Sequence, residues 1–403
     1  MPWKGVTMNE QRQRFLEDYK LNVYTTTDLA DRFGISRRTA HKWIDRFEQS
    51  GLSGYHELSR RPHSSPSQTD PAIVQQIVDL RVAHPRWGPA ILLDLLRKRR
   101  PKAHLPSVST AARILSRNGL VRPRRRHRRA HPGCPKTVPH GPNDIWAADY
   151  KGQFRLGNGS YCFPLTVSDL ASRFLLGVDA HPEISLEKTQ RHFTRLFQEF
   201  GLPHRIRTDN GVPFASCTLA RLSSLSVWFI KLGIYPELIQ PGRPQQNAVH
   251  ERMHLTLKQE ATIPPAASLP SQQRKFDHFR QEFNELRPHQ SLAMKRPAEV
   301  YQPSHRPMPT RLLPYDYPSH YLVRRVSRCG TIRVLHNQVF VSNTLNEDSV
   351  GLEEVDDGIY DLYFCFYQIG RYHLRDNKIE DIVSRVGVSR RQIDLARRLL
   401  PMS

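Results

Sequence analysis

The sequence predicts a multidomain chain. It has all-α units at its N-terminal end, an α/β core built on a mixed five-stranded sheet with helices on both faces, and a small C-terminal β-barrel. Three observations carry this. Residues 7–50 and 71–118 show apolar residues at helical spacing. From residue 144 short strand-like runs separated by Gly and Asn turns begin to alternate with helical stretches. After about residue 310 only strand patterns remain, and Asp357-Gly358 marks a hairpin turn.

The 403 residues carry 60 Lys+Arg against 38 Asp+Glu, a net charge of +22. Such an excess repels itself unless a polyanion neutralises it, and nucleic acid is the expected partner ahead of an acidic membrane. No run approaches the roughly 18–20 apolar residues of a membrane span. The opening MPWKGVTMNEQRQRF lacks the apolar centre of a signal peptide, so the expectation is a cytoplasmic protein with no membrane partner. None of the five cysteines forms a Cys-x-x-Cys pair. His127, His131, Cys134 and His140 cluster in a Pro- and Arg-rich run without flanking strands or a helix. They read as a solvated linker, and no zinc is expected.

The first unit, residues 1–58, reads as three helices. In TTDLADRFGISRRTAHKWIDRF a short helix, about Thr27 to Phe33, breaks at Gly34 and another starts after the N-cap Ser36. Ala40, Trp43, Ile44 and Phe47 form one apolar face. Ser36, Arg37, Arg38, His41 and Lys42 are left for the other. This is a helix-turn-helix pattern, whose second helix enters the DNA major groove. Residues 59–71 are a Pro/Ser-rich linker. Residues 67–121 predict helices over 71–83, 88–99 and 107–118, read as a second helix-turn-helix or winged-helix unit with Arg113 and Arg117 on its exposed face. Residues 122–140 are a basic linker, where Arg124, Arg125 and Arg126 would track phosphates, adding salt-sensitive affinity and little sequence information.

In the core, 141–305, the strands are IWAADYKGQF, YCFPLTVSDL, SRFLLGVDA, the run ending at Asp209, and GIYPELI. Helices are expected over 186–200, 216–232 and after PGRPQQN. The barrel occupies 312–377, and 378–403 reads as a helical tail.

Three carboxylates stand out by position. Asp149 ends the first strand, Asp209 ends the fourth just before an Asn-Gly turn, and Glu251 lies in the first turns of the helix after PGRPQQN. If the first and fourth strands are neighbours, both tips meet and the helix can add its glutamate. Three ionised carboxylates crowd together only around a cation. Hard oxygen ligands select Mg²⁺ or Mn²⁺, and two ions about 4 Å apart could activate a water or a 3′-hydroxyl at a phosphodiester. Asn247, Glu251, His254 and Lys258 share one polar face of that helix, with Val249, Met253 and Leu257 opposite. Lys258 is placed to meet a DNA phosphate. Asp169 and Asp179 also end strands and read as structural turn residues.

The motifs WAAD, RTDNG and PGRPQQNAVHERMH resemble the integrase core of DDE transposases, the retroviral-integrase superfamily. The whole chain looks like a bacterial insertion-sequence transposase, and its MPWK start and SRRPHSSP linker are similar to that group too. The likeness covers residues 1–300 well and the C-terminal part loosely. It implies an RNase H-like fold and a catalytic metal triad of Asp149, Asp209 and Glu251, with two Mg²⁺ or Mn²⁺ ions. It also implies cleavage and strand transfer on double-stranded DNA, both element ends and target, by a homo-oligomer associated with the nucleoid. The alternative is a non-catalytic, sequence-specific DNA-binding regulator derived from a transposase. A host nuclease of the RNase H type leaves two N-terminal DNA-reading units unexplained. Two departures from the family stand out. The interval from Asp209 to Glu251 is longer than in many relatives, and the extra LARLSSLSVWF is expected to lengthen a helix. Ala248 replaces a glycine common there, which could tighten the turn into the helix.

Overall fold

The computed structural model describes residues 7–57, 68–121, 137–240 and 243–382. Its contacts divide the chain into two compact units, Met1–Asp70 and Pro71–Ser403.

In the first unit, α1 (Met8–Lys20), α2 (Thr26–Arg32) and α3 (Arg37–Ser50) pack around Phe15, Leu16, Leu29, Ala30, Ala40, Trp43 and Ile44. Ser36 caps α3 as expected, and the other two helices are capped as well. Thr7 with Glu10 and Thr25 with Asp28 form capping boxes, and the Ser36 hydroxyl accepts the Thr39 N–H. Gly34, at φ 63°, makes the turn between α2 and α3.

The second unit opens with α4 (Pro71–Ala83), α5 (Pro89–Arg99) and α6 (Val108–Arg117) around Ile77, Trp87, Leu92 and Leu115. No strand occurs among the described residues from 68 to 121, so helices alone build this part and no wing is present there.

The central sheet holds β1 (Ile145–Tyr150), β2 (Phe154–Arg155), β3 (Tyr161–Asp169), β4 (Leu175–His181), β5 (Arg205–Thr208) and β6 (Tyr235–Leu238). IWAADYKGQF is split into β1 and the two-residue β2, which makes six strands in place of five. β3 lies between β1 and β4, antiparallel to both, while β1, β5 and β6 run parallel. Helix α7 (Leu186–Phe200) and α8 (Ser224–Lys231) cover one face through Phe193, Phe197 and Phe229 against Trp146, Leu165 and Ile206. Helices α9 (Ala248–Ala261) and α10 (Leu269–Gln281) cover the other through Met253, Leu257, Phe276 and Phe279 against Cys162, Leu175 and Val178. A short α11 (Pro297–Val300) follows. Ala248 is an ordinary helical residue (φ −55°, ψ −30°), so no glycine is needed to enter α9.

The helix expected over 216–232 spans only Ser224–Lys231. LARLSSLSVWF does not extend it. Residues 219–221 form a tight turn in which Ala220 and Arg221 take positive φ, and Ser223 caps α8 afresh. Apolar burial explains the difference, since Ala220, Leu222, Val227 and Ile230 join the core of the C-terminal strands.

Those strands are β7 (Leu322–Arg325), β8 (Thr331–Val334), β9 (Asn337–Phe340), β10 (Ser349–Asp356), β11 (Ile359–Phe364), β12 (Tyr367–His373) and β13 (Lys378–Asp381). The expected barrel does not close. Its hydrogen bonds make an open five-stranded sheet, β13-β12-β11-β10-β7, and a separate β8-β9 hairpin over one shared core. Residues 378–381, expected as the start of a helical tail, are the edge strand β13. The rest of that tail, from 383, lies outside the described residues.

Candidate metal centre and nucleic-acid faces

Strand register brings the two aspartates together. Ile145, Trp146 and Ala147 stand beside Arg205, Ile206 and Arg207 on the parallel pair β1 and β5. The same offset, carried two residues on, sets Asp149 beside Asp209. Side chains alternate along a strand: Trp146 and Ala148 enter the α7 core, so Asp149 faces α9. The turn after β5 is held in place. The Asn210 amide donates to the Ile239 carbonyl (2.8 Å) and accepts from Arg221 (2.9 Å). Asp209 accepts the Gly211 N–H (3.1 Å), and a Cβ at residue 211 would lie 3.0 Å from the Asp209 carboxylate. Glycine there gives that carboxylate room.

Helix α9 starts beside a buried ion pair. Arg207 meets Glu237 at 3.0 Å and donates to the carbonyls of Gln246 and Thr137, which fixes the entry of the chain into the helix. Its first turn carries the exposed Glu251. Ligand atoms of Asp149, Glu251 and His254 all lie within 4.8 Å of one another. Asp209 is outside that set, yet its charge acts on Asp149. Burial, then the Asp209 and Glu251 charges, push Asp149 up to about 7 against the opposing pull of Lys151. Burial also raises Asp209, opposed by the Gly211 N–H. A carboxylate cluster of this kind is relieved by a cation, and its donor set fits a divalent ion.

His254 differs from expectation. The sequence puts it on one polar face with Asn247, Glu251 and Lys258, whereas it is fully buried and Asn247 nearly so; Glu251 and Lys258 are exposed. The i, i+4 pair His250 and His254 faces β3. The Thr166 hydroxyl meets Nε2 of both rings, at 2.9 and 2.6 Å, and the Ser168 hydroxyl meets Nδ1 of His250 at 2.7 Å. Burial and the Lys151 charge hold His250 down at about 3; burial, His250 and Lys151 push His254 lower still. Burial thus disfavours a charge on either ring. The signal was present in VHERMHL over LTVSD, two histidines one turn apart facing two hydroxyls one strand repeat apart. Val249, expected in the apolar stripe with Met253 and Leu257, is exposed.

The other acids are accounted for. Asp169 accepts the N–H groups of Asn143 and Ser172 and the Ser172 hydroxyl. Asp179 is paired with His192 and Arg195. Glu237 is held by Arg207, and Glu260 by Arg287 at 3.0 Å.

On α3, Ser36, Arg37, Arg38, His41 and Lys42 are exposed, and the Lys42 ammonium lies 5.0 Å from the centre of the Trp43 ring. Arg113 and Arg117 are exposed on α6. Arg124, Arg125 and Arg126 lie outside the described residues, as do His127, His131 and Cys134; the His140 N–H donates to Asp144.

Profiles of known families match along most of this architecture. Two described as integrase core domains match residues 139–244 and 232–297, and two described as homeodomain-like domains match 10–54 and 39–115. The chain is 28% identical over 271 residues to the insertion element IS476 uncharacterized 39.2 kDa protein of Xanthomonas euvesicatoria, covering 66% of this chain and 75% of that one. It is 29% identical to the insertion element IS407 uncharacterized 31.7 kDa protein of Burkholderia multivorans, covering 40% of this chain and 57% of that one. It is also 28% identical over 123 residues to a Gag-Pol polyprotein of Rous sarcoma virus, spanning 7% of that protein and 30% of this one. Among solved structures, the HTLV-2 integrase catalytic core domain in complex with magnesium is similar at 16% identity and a TM-score of 0.33, over 40% of this chain and 99% of that one. No helix among the described residues is long and apolar enough to cross a membrane. An integrase core preceded by homeodomain-like helices, with insertion-element relatives, places this chain in the DDE transposase and retroviral-integrase superfamily, among its bacterial insertion-sequence members.

Proposed function

We propose that this protein is a DNA transposase that binds the terminal inverted repeats of its element and catalyses metal-dependent cleavage and strand transfer. The observation that supports the reading is the gathering of Asp149 and Glu251, whose ligand atoms lie within 4.8 Å of each other, with the Asp209 charge acting on Asp149 from the end of the neighbouring parallel strand. In this reading the three carboxylates hold two divalent cations, Mg²⁺ or Mn²⁺. When bound, the ions supply Lewis acidity that activates a water or 3′-hydroxyl and stabilises the leaving oxygen of the phosphodiester.

The chain's own residues do the rest. The Asn210–Gly211 turn holds Asp209 at the strand tip. Lys258 lies two helical turns beyond Glu251, about 10 Å along α9, where an ammonium meets a neighbouring phosphate of the donor strand. Ser36, Arg37, Arg38, His41 and Lys42 present one face to DNA, and Arg113 and Arg117 a second. The basic linker with Arg124, Arg125 and Arg126 adds phosphate contacts. Residues 1–58, 67–121 and 141–305 are the two DNA-reading units and the catalytic domain, acting as a homo-oligomer on DNA in the nucleoid.

Amide replacement of Asp149, Asp209 or Glu251 keeps size and removes charge. Each is expected to abolish cleavage and joining of a short duplex bearing the element end in Mg²⁺ or Mn²⁺, with duplex binding retained. Near-normal cleavage by Glu251→Gln sinks the triad. A wild-type protein that binds the ends specifically and never cuts or joins them is the regulator. Sequencing the DNA on either side of the gene identifies the inverted repeats to use.

A further inference from the structure

The hydroxyl of Thr166 fixes the tautomer of His254. That hydroxyl lies 3.1 Å from the Asp149 carbonyl oxygen, which can only accept, so its single proton is directed there. It must then accept from both imidazoles, so Nε2 of His250 and Nε2 of His254 each carry a proton. The Ser168 hydroxyl donates to Nδ1 of His250, which completes that ring. Nδ1 of His254 is left with a bare lone pair. It is buried without a hydrogen-bond partner, in a side chain that is 0% exposed. It points at the Asp149 carboxylate, 3.6 Å away, and belongs to the set that includes Glu251.

A lone pair facing a carboxylate in a buried place is repulsive on both sides, and 3.6 Å is too long for a proton to bridge well. It is a span that two donors on one ion do have, since ligands about 2.1 Å from a metal stand on the order of 3–4 Å apart. We propose that His254 Nδ1 is a direct ligand of the divalent cation held by Asp149 and Glu251, making this a mixed nitrogen and oxygen site. The inference rests on the metal-centre reading above and adds the identity of a ligand to it. Thr166 and Ser168 act as positioning residues: they orient the two rings and leave the right nitrogen free. Imidazole suits transition metals better than Mg²⁺, so the site favours Mn²⁺ over Mg²⁺ more than an all-oxygen site does.

The test is spectroscopic and independent of turnover. Mn²⁺ is bound to the full chain, and electron spin-echo modulation is recorded with natural-abundance and with ¹⁵N-histidine-labelled protein. A directly coordinated nitrogen is expected in the wild type, changing to the ¹⁵N pattern on labelling. It should vanish in His254→Asn and persist in His250→Asn. His254→Asn should also weaken Mn²⁺ binding by on the order of 10–100-fold, and Mg²⁺ binding by less. Mn²⁺ that binds in an Asp149-dependent way without nitrogen coupling overturns this ligand and leaves the carboxylate site standing. Coupling that survives in His254→Asn overturns the assignment to His254. Mn²⁺ binding that is absent, or unchanged by Asp149→Asn, overturns both. The labelling result needs no variant: a wild-type protein without histidine nitrogen coupling overturns the proposal even if His254→Asn fails to fold.

Discussion

Asp179 follows the run of buried positions on β4 and is held by two side chains from α7. The His192 Nδ1 lies 2.6 Å from one oxygen, and the Arg195 guanidinium 2.8 Å from the other. Burial alone would raise this carboxyl; the His192 hydrogen bond and charge and the Arg195 contacts outweigh it and hold it well below its ordinary value. The sign for stability follows. A depressed folded value stabilises the fold above the unfolded pKa, near 4, and that contribution is lost as pH falls through the folded value. Asp179→Asn should therefore cost on the order of 2 kcal/mol at pH 7, the scale of hydrogen bonds to a charged group. The gap from wild type should narrow as unfolding is measured at progressively lower pH below 4. A gap independent of pH means the carboxylate contributes only its shape. At this scale the sequence was partly legible. A carboxylate at a strand end followed by Asn-Gly announces a fixed acid, which is Asp209, and Asp149 follows from its place near the tip of β1; both are half-buried. His254 was misread because helical spacing alone cannot say which of two polar arcs faces the sheet. The two hydroxyls on β3 decide it, and pairing them with the histidines requires the register of a helix across a strand.

The elements show how an edge strand is closed without another strand. β4 is the outer strand of the core sheet, and α10 with the turn after it meets its free backbone groups through side chains. Gln273 accepts the Ala180 N–H and donates to the Val178 carbonyl, both at 2.8 Å. Asn284 does the same for the two backbone groups of Leu175, at 2.8 and 2.9 Å, and Arg280 donates to the Leu176 carbonyl at 3.0 Å. This hides an edge that would otherwise invite pairing with another chain. Because Asn284 and Leu175 are buried, Asn284→Ala leaves a buried N–H and C=O unpaired. That should cost on the order of 2 kcal/mol or more, read as a lower midpoint in urea unfolding. Asn284→Asp, which keeps an acceptor and removes the donor, should fall between. A drop of no more than a few tenths of a kcal/mol in Asn284→Ala means water replaces the amide. Helices with an apolar stripe and a capping serine or a proline at their start were readable to within a residue or two; α3, α4 and α5 are of that kind. The segment 216–223 was not, since its leucines and alanine have helical spacing but bury against strands more than a hundred residues away.

For the whole molecule, charge is what the sequence declares first and what the fold distributes. The basic excess leaves Arg37 and Arg38 in the exposed first turn of α3. A cation there meets the unfavourable end of the helix dipole, and nothing within the described residues of the first unit forms an ion pair with either. Placing two arginines where the helix itself disfavours them is consistent with a phosphate or a base edge as the compensating partner. Arg37→Ala with Arg38→Ala should leave the fold of the first unit intact, and even raise its melting temperature slightly. Binding to the element ends should weaken. Two outcomes separate the two roles. If the arginines read bases, discrimination between the true end and scrambled DNA falls by ~1–3 kcal/mol for each bidentate arginine–base pair removed, and the salt dependence changes little. If they neutralise phosphates, binding to both DNAs weakens together, and the slope of log K against log salt becomes shallower by about 0.9 for each phosphate no longer neutralised. Titrating both duplexes at several salt concentrations distinguishes these, and unchanged affinity for both would remove α3 from the DNA interface.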